Sequence, residues 1–178
     1  FIGVDVFFVV SGFLITTLIQ AGLKEQNFSI LAFFGSRVRR LFPSLILVLL
    51  ACQIFGWFAL LSDEYKLLGK HISATALLIP NWIIWNESGY FEYAANTKPL
   101  LHLWSLGVEE QFYLFFPLFF MLLWRWGKRR LLVLMGLLGS ASLVYAQWAS
   151  VSQPAAAFYL LAARSWKLLL GGLAAFYI

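Results

Sequence analysis

Glu109 and Glu110 stand side by side near the middle of an apolar run that covers residues 100–124. A carboxylate at the centre of a membrane-spanning helix costs roughly 2.5–3.5 kcal/mol on insertion scales, so such an acid usually lines a path or pairs with a cation. At about 100° per residue, His102, Ser105 and Glu109 share one helical face. We therefore predict a buried polar stripe that faces a substrate cavity. The alternative, which stays open, is an ion pair to a neighbouring arginine that only holds the bundle together.

The histidines are weaker candidates for chemistry. His102 precedes Trp104 at the expected start of the span, where a histidine bonded to a backbone carbonyl is ordinary, so acid/base work by His102 is the less favoured interpretation. His71 follows Lys70 at an expected loop-to-helix junction, and we give it less weight still. Neither histidine has Cys, Asp or Glu at metal-ligand spacing, so the sequence predicts no metal site. We include His102, Trp104 and Ser105 in the predicted polar interior.

A basic cluster, Arg37, Arg39 and Arg40, precedes the second apolar run. Such a cluster beside a span is an ordinary topology signal under the positive-inside rule. Guanidinium groups also grip phosphates in a planar fork, so this arginine cluster is equally a candidate anion-binding site. In a helical register Arg37 and Arg40 share a face, while Arg39 points elsewhere.

Asp5, Gly12 and Thr16 fall on one face of the first apolar run. Asp5 lies near the end of this run, where it could simply cap the helix. Ser11 and Gly12 predict a close approach of another helix, because small residues let backbones come together in membranes. A serine nucleophile needs a neighbouring base, and the sequence shows none beside Ser11.

These residues must be positioned by membrane-spanning helices. Of the 178 residues 62% are hydrophobic and only 12% are charged, with a mean hydropathy of +0.82, whereas soluble domains carry about 25% charged residues. The net charge of +5 comes from Lys and Arg clusters between apolar runs, which indicates membrane topology rather than nucleic-acid binding. The single cysteine, Cys52, lies in an apolar run and is interpreted as a packing residue. We therefore predict an all-α polytopic membrane bundle.

We predict about five spans, each near the roughly 20 residues that cross a bilayer, plus one uncertain element. The spans are expected near residues 3–23, 43–61, 100–124, 131–148 and from 158 onward. The uncertain element, residues 71–85, either crosses the membrane or is a re-entrant or broken helix. Residues 27–42 are expected at the membrane surface, with Pro43 in the first turn of the second span. Residues 86–99 are expected to form an irregular loop.

The positive-inside rule assigns the arginine cluster to the cytoplasmic side. A second basic cluster, Lys128–Arg130, lies on that side as well only if residues 71–85 do not cross. The sequence leaves the side of the second cluster open.

Three segments, in this order, resemble the membrane acyltransferase type 3 family, which includes bacterial O-antigen and peptidoglycan O-acetylases. They are FIGVDVFFVVSGFLITTLI, SRVRRLFPSL and PLLHLWSLGVEEQFYLFFP. The family patterns that they resemble are a G-V-D-x-F-F-V-x-S-G-F-L span, an R-x-R-R-x-x-P junction and a W-S-L-x-x-E-x-Q-F-Y span. The intervening NWIIWNESGYFE is similar to the branch whose membrane domain often carries an extra periplasmic SGNH-hydrolase domain. The resemblance covers nearly the whole chain.

The resemblance implies a multi-pass enzyme of the bacterial inner membrane. Such an enzyme transfers an acyl group, usually acetyl, from cytoplasmic acyl-CoA to a hydroxyl of an envelope glycan such as lipopolysaccharide O-antigen. Acetyl-CoA would be the donor substrate rather than a bound cofactor, and membrane lipid, not nucleic acid, would be the other partner. The arginine cluster would then bind the phosphates of coenzyme A. Glu109 and Glu110 match the family's glutamate pair, as acid/base helpers or as structural organisers.

Two features depart from the family pattern. The family's catalytic histidine lies in an R-x(10)-H pattern before G-V-D, and this chain begins after that position. We therefore expect residues 1–178 to be a partial domain, without the first span and the C-terminal part, that is inactive alone. The late R-x-W-E-L motif reads Arg164-Ser165-Trp166-Lys167-Leu168 here. Lysine in place of glutamate puts two cations three residues apart, and they repel unless acids elsewhere pair with them. This would mark an altered site or a decaying gene fragment, and we count Arg164 and Asp5 among the polar interior.

Two other classes of function stay open. Buried acids and a polar stripe would serve a transporter or flippase equally well, but a transporter needs no grip on coenzyme A phosphates at the arginine cluster. An inactive structural remnant is the third interpretation.

Overall fold

The computed structural model describes residues 2–88 and 100–177, and within these ranges the chain forms helices and no strand. The elements are α1 (Ile2–Lys24), α2 (Ile30–Ala59), α3 (Ser62–Ala76), α4 (Pro80–Glu87), a 3-10 turn (Leu101–Leu103), α5 (Trp104–Trp124), α6 (Lys128–Ser152), α7 (Pro154–Tyr159) and α8 (Leu161–Ala174). The predicted all-α class is confirmed. The loop predicted at residues 86–99 lies outside the described residues from residue 89 onward. The chain divides into a first unit, Phe1–Ser29 with Val108–Ile178, and a second unit, Ile30–Gly107.

In the described residues, four helices are long and apolar enough to cross a membrane: α1, α2, the 3-10 turn with α5, and α6. They match four of the five predicted spans. The last predicted span falls on α7 and α8, which meet at Leu160, where the backbone is extended (φ −88°, ψ 140°). The helix is therefore broken at this residue.

The predicted start of the second helix, at Pro43, is wrong. The sequence predicts a surface segment over residues 27–42 and a new helix at Pro43, whereas α2 runs without interruption from Ile30 to Ala59 with Pro43 inside it. An interior proline loses one backbone hydrogen bond. Membrane helices tolerate this loss, because neighbouring helices, Ser/Thr side chains and local adjustments satisfy the freed carbonyl. The arginine cluster consequently belongs to the first part of one continuous helix.

The second unit is built on the antiparallel pair of α2 and α3. An apolar core joins the two helices to the chain before α5; its buried residues are Leu45, Leu49, Leu68 and Leu100. After α3 the backbone turns at Leu78, whose φ of 60° is left-handed, and Pro80 begins α4. Of the alternatives left open for residues 71–85, the structure confirms the broken helix.

In the first unit α1 and α5 run in the same direction. Ser11 of α1 contacts Glu109 of α5. Farther along both helices, Thr16 and Phe116 each approach the position of a Cβ added to Gly172, at 2.8 and 3.7 Å. The two helices are therefore parallel within the first unit.

This parallel arrangement bears on topology. Because α1 and α5 are parallel, Lys24 at the end of α1 and the basic residues 125–130 beyond α5 lie at the same end of the first unit.

The first unit also packs α1 and α8 backbone against backbone. A Cβ added to Gly12 would lie 1.9 Å from the carbonyl oxygen of Leu168, and one added to Gly171 would lie 1.9 Å from the carbonyl oxygen of Val9. Small residues permit such an approach in membranes. The predicted role of Gly12 in a close helix contact is confirmed.

Gly171→Ala should push α1 and α8 apart, because the new methyl group would overlap a backbone carbonyl that cannot rotate away. Overpacking costs about 1–3 kcal/mol or more, so the unfolding temperature of the detergent-solubilised protein should fall. Gly136→Ala in α6 is the matched control, since nothing lies within 4 Å of its Cβ position. The control should leave that temperature unchanged or slightly raised, because alanine favours helices. Equal unfolding temperatures for the two variants would contradict the close packing of α8 on α1.

Candidate functional site

The buried carboxyl group of Glu109 accepts hydrogen bonds from two hydroxyl groups inside the first unit. Ser11 Oγ of α1 donates a hydrogen bond to Glu109 Oε1 at 2.6 Å, and Tyr113 Oη, one turn along α5, donates to the same oxygen at 2.5 Å. All three side chains are buried. The glutamate cluster, Ser11, Glu109 and Tyr113, therefore ties α1 to α5 through one carboxylate.

This contact corrects the sequence-based view of Ser11. The sequence shows no base beside Ser11 because Glu109 is 98 residues away along the chain. In the folded protein the carboxylate can either orient the two hydroxyl groups or accept a proton from one of them. Both roles require that α1 and α5 stay in register.

Asp5 joins α1 to α8 through two cations. Arg164 Nη1 donates to Asp5 Oδ1 at 3.0 Å, and Lys167 Nζ contacts the same oxygen. The side chains of Arg164 and Lys167 are only 14% and 9% exposed, against 39% for Asp5. The repulsion expected between the two cations is thus offset by a shared carboxylate, and Asp5 is an ion-pair partner rather than only a helix cap. We call these three residues the ionic cluster.

The break between α7 and α8 is bound to the same cluster. Arg164 Nε donates to the carbonyl oxygen of Phe158 at 3.1 Å, and its guanidinium carbon lies 4.9 Å from the centre of the Phe158 ring. A helix end leaves carbonyl groups without helical partners. Arg164 satisfies one of them, so the side chain that pairs with Asp5 also stabilises the broken helix.

The face predicted along α1 is confirmed. Asp5, Gly12 and Thr16 all contact α8, the first by an ion pair and the other two by close packing. The spacing of these three residues along the sequence, at about 100° per residue, predicts this shared face. On α8 the sequence indicates only that Arg164 and Lys167 are two cations that need an acid elsewhere, and no pattern identifies Asp5 as that acid.

The polar stripe predicted along α5 forms only in part. His102 lies in the 3-10 turn and is exposed, whereas Glu109 is buried. Ser105 is half-buried and donates to the His102 carbonyl at 3.4 Å; Trp104 is buried and Glu110 is half-buried. Because the 3-10 turn precedes Trp104, the spacing of about 100° per residue does not extend back to His102. His102 therefore does not share the buried environment of Glu109.

The arginine cluster lies on α2, in the second unit. Arg37 is half-buried, with its guanidinium carbon 5.8 Å from the centre of the Phe33 ring. Arg39 and Arg40 are exposed. Their guanidinium groups are accessible to an anion such as a phosphate.

A further ionic contact in the second unit was missed from the sequence. Glu87, at the end of α4, accepts a hydrogen bond from Lys70 Nζ at 2.7 Å and lies 3.0 Å from His71 Nε2. His71 is buried, whereas the Lys70 side chain is half exposed. The partners are 16 and 17 residues apart, and only the turn at Leu78 brings them together. This contact ties α4 back to α3.

Long apolar helices with carboxylates and cations buried between them define a polytopic membrane protein with a polar interior. The sequence profile described as an acyltransferase domain, that of the acyltransferase type 3 family, matches residues 1–178. The chain therefore belongs to this acyltransferase family, which confirms the resemblance found in its motifs.

The chain is also similar to several curated proteins. It is 34% identical over 182 residues to the peptidoglycan O-acetyltransferase OatA of Listeria monocytogenes, which covers 99% of this chain and 29% of that protein. It is 38% identical over 121 residues to the O-acetyltransferase OatA of Staphylococcus aureus, covering 66% of this chain and 20% of that protein. An uncharacterized protein of Haemophilus influenzae is 36% identical over 121 residues, covering 68% of this chain and 49% of that protein. The chain thus spans less than half the length of these relatives. No solved structure matches it.

Asp5→Asn should destabilise the first unit, because Arg164 and Lys167 then lose the carboxylate that they share. Breaking one side of a buried ion pair costs about 3–5 kcal/mol, and the cost should be smaller here because the Asp5 side chain is 39% exposed. Membrane abundance and the thermal unfolding temperature measure the loss.

Adding Lys167→Met to Asp5→Asn should restore part of the stability, since one of the two buried charges is then gone. The single variants and the double variant form a mutant cycle that isolates the Asp5–Lys167 interaction. Strictly additive losses would show that these two side chains do not interact.

Proposed function

We propose that the protein transfers an acyl group, usually acetyl, to a hydroxyl of a bacterial cell-envelope glycan, from within the cytoplasmic membrane. The observation that carries the proposal is the glutamate cluster: a carboxylate with two hydroxyl donors, buried between two spans of a chain from an acyltransferase family. Burying a carboxyl group in a membrane-spanning helix costs free energy, so such a group usually has a functional or structural role. Membership of the family makes acyl transfer its best supported use.

The transfer has a simple balance. The hydroxyl oxygen of the acceptor attacks the thioester carbonyl of acyl-CoA, so a C–O bond forms and the C–S bond breaks. The proton of the acceptor hydroxyl ends on the released thiolate. We assign Glu109 and Glu110 to this proton movement or to holding the hydroxyl groups around it. Because Glu109 already orients Ser11 and Tyr113, its positioning role is the more direct of the two.

We propose the cytoplasmic side for the donor. The positive-inside rule assigns to the cytoplasm the side on which Lys24 and residues 125–130 lie. The same rule, applied to the arginine cluster itself, assigns the first part of α2 to the cytoplasmic side. Acyl-CoA, with acetyl-CoA as the first candidate, would bind there through its phosphates, which suit the planar guanidinium forks.

The acceptor is proposed to arrive from the opposite side. The similar Listeria protein is named a peptidoglycan O-acetyltransferase, which favours peptidoglycan as the acceptor. Lipopolysaccharide O-antigen, expected from the sequence resemblance, is the alternative. Ester-linked acetate measured in parallel on isolated peptidoglycan and on O-antigen, with and without the gene, distinguishes the two.

Arg37→Ala and Arg40→Ala should each raise the acetyl-CoA concentration needed for half-maximal transfer. A lost charge-assisted contact to a phosphate costs about 1.5–3 kcal/mol, or roughly 10- to 150-fold. Arg129→Ala is the matched control, because Arg129 is an exposed arginine of the second basic cluster. Initial rates in membranes, normalised to protein abundance, give the comparison. If both variants keep the donor dependence of the unaltered protein, the arginine cluster serves topology alone.

Glu109→Gln and Glu110→Gln should both insert and accumulate normally. Glutamine keeps an oxygen that can accept the hydrogen bonds of Ser11 and Tyr113, and loss of the charge makes insertion easier. Transfer per molecule should nevertheless fall by at least about tenfold in one of the two variants, because a proton acceptor or a charge partner is removed.

The structural alternative forecasts another result for these variants. If either glutamate only balances a buried cation, its neutralisation should deplete the protein while each remaining molecule works normally. Abundance and transfer measured in the same samples separate the outcomes. Low abundance with normal specific activity would contradict the functional role of the pair.

A further inference from the structure

An apolar groove of about 440 Å³ lies among α5, α6 and α8 in the first unit. Phenylalanines of α5 line one wall, and small and aliphatic side chains of α6 and α8 line the other. The floor is buried, with Phe116 and Leu169 only 3% and 5% exposed. The rim is not, since Phe115 and Leu138 are 61% and 47% exposed. The groove is therefore open along one side of the helices that form it.

The serine hydroxyl groups that line the apolar groove bind the backbone of the protein itself. Ser142 Oγ donates to the carbonyl oxygen of Ala162 at 2.6 Å and accepts from the Trp166 N–H at 3.0 Å. Ser165 Oγ donates to the carbonyl oxygen of Leu161 at 2.6 Å. A polar or charged ligand would lose its hydration in the groove and gain few hydrogen bonds in return, which costs free energy. The groove therefore suits a hydrocarbon.

The position of the apolar groove along α6 sets its depth in the membrane. α6 runs from Lys128 to Ser152, so Ser140 is its middle residue. The lining residues of α6 run from Leu138 to Tyr145, which is about 10 Å at 1.5 Å per residue. A helix of this length that crosses a hydrocarbon core of about 30 Å has its middle near the centre of the bilayer. The groove thus opens at the depth of lipid acyl chains rather than of headgroups.

The size of the apolar groove is also that of a hydrocarbon chain. A dry apolar cavity of about 150 Å³ binds one benzene molecule, so a groove of 440 Å³ has room for a hydrocarbon about three times larger. If the groove stayed empty, the side chains on its floor would lose dispersion contacts. Acyl chains of the bilayer are present at a far higher concentration than any other hydrocarbon, and mass action therefore favours them.

We propose that the apolar groove binds one acyl chain of a membrane phospholipid, held between α5 on one wall and α6 and α8 on the other. The chain would pack against Phe112 and Phe116, which line the groove and lie within about 60° of Glu109 around α5. A bound lipid thus supports the span that carries the glutamate cluster. Lipid binding requires no reaction, so this inference does not depend on the proposed transfer.

Photolabelling of the full-length protein tests the site. The probe is phosphatidylcholine with a diazirine at the end of one acyl chain, added at increasing mole fractions to dodecyl maltoside micelles, and labelled residues are mapped by mass spectrometry. Labelling of Leu169, on the floor of the groove, should saturate. Labelling of Leu137, which is 60% exposed and outside the groove, should rise in proportion to the probe. Leu169 labelling that does not saturate, or that is missing while Leu137 is labelled, would overturn the inference.

A variant that fills the apolar groove locates the site, with a matched control on the same helix. Ala141 is an exposed residue of the groove wall, so the ring of Ala141→Phe can enter the groove. The ring should displace at least two methylene groups of the lipid, each worth roughly a factor of four in affinity, and the mole fraction for half-maximal Leu169 labelling should rise at least about tenfold. Val144→Phe, at a position that is 69% exposed and outside the groove, should leave it unchanged. Equal saturation curves for the two folded variants would overturn the assignment to this groove, and the saturation test on the unaltered protein depends on no variant.

Competition identifies the lipid. Unlabelled phosphatidylcholine should displace the probe from Leu169 at mole fractions close to that of the probe itself. Displacement by palmitoyl-CoA or by a polyprenyl phosphate at much lower mole fractions would show that the groove holds the acyl chain of a donor or the chain of a carrier lipid. Either result would overturn the assignment to a phospholipid.

Discussion

The close contact between the backbones of α1 and α8 is the constraint on which the rest of the first unit depends. Gly12 and Gly171 leave room for it, since a methyl group at either position would overlap a carbonyl oxygen of the other helix. In lipid, helices gain little from hydrophobic association, so small residues and polar contacts decide which helices meet. At this short distance Asp5 can reach Arg164 and Lys167 together. One packing contact therefore sets both the fold and the place of its buried charges.

α1 contacts both α5 and α8, through different faces. Ser11 and Gly12 are adjacent in the sequence, and adjacent residues of a helix point about 100° apart. Ser11 consequently contacts Glu109 of α5, while Gly12 packs against α8. The glutamate cluster and the ionic cluster are thus fixed by one helix, the first with neutral donors around its carboxylate and the second with cations.

Breaks in helices coincide with ionic contacts in both units. At Leu160 the chain opens, and Arg164 binds the freed carbonyl of Phe158. At Leu78 it turns, and Glu87 reaches back to Lys70 and His71. Irregular backbone at membrane depth is tolerated where it is buried in protein or lines a cavity. A cavity among α6, α7 and α8 lies beside the break at Leu160, and Arg164 both lines this cavity and binds the carbonyl group of Phe158.

The sequence by itself determined the helical membrane class, most span positions and the face of α1 that Asp5 and Gly12 share. These features depend on hydropathy and on helical spacing. Both are properties of residues that are close together in the chain. The prediction that a helix begins at Pro43 was wrong. A local rule for proline does not include the hydrogen bonds and packing that a membrane helix receives from its surroundings. Only the tertiary structure decided that Ser11 meets Glu109 and that Lys167 meets Asp5, which are 98 and 162 residues apart. Which helix faces which depends on the summed packing of all spans, so no local pattern carries the identity of a distant partner.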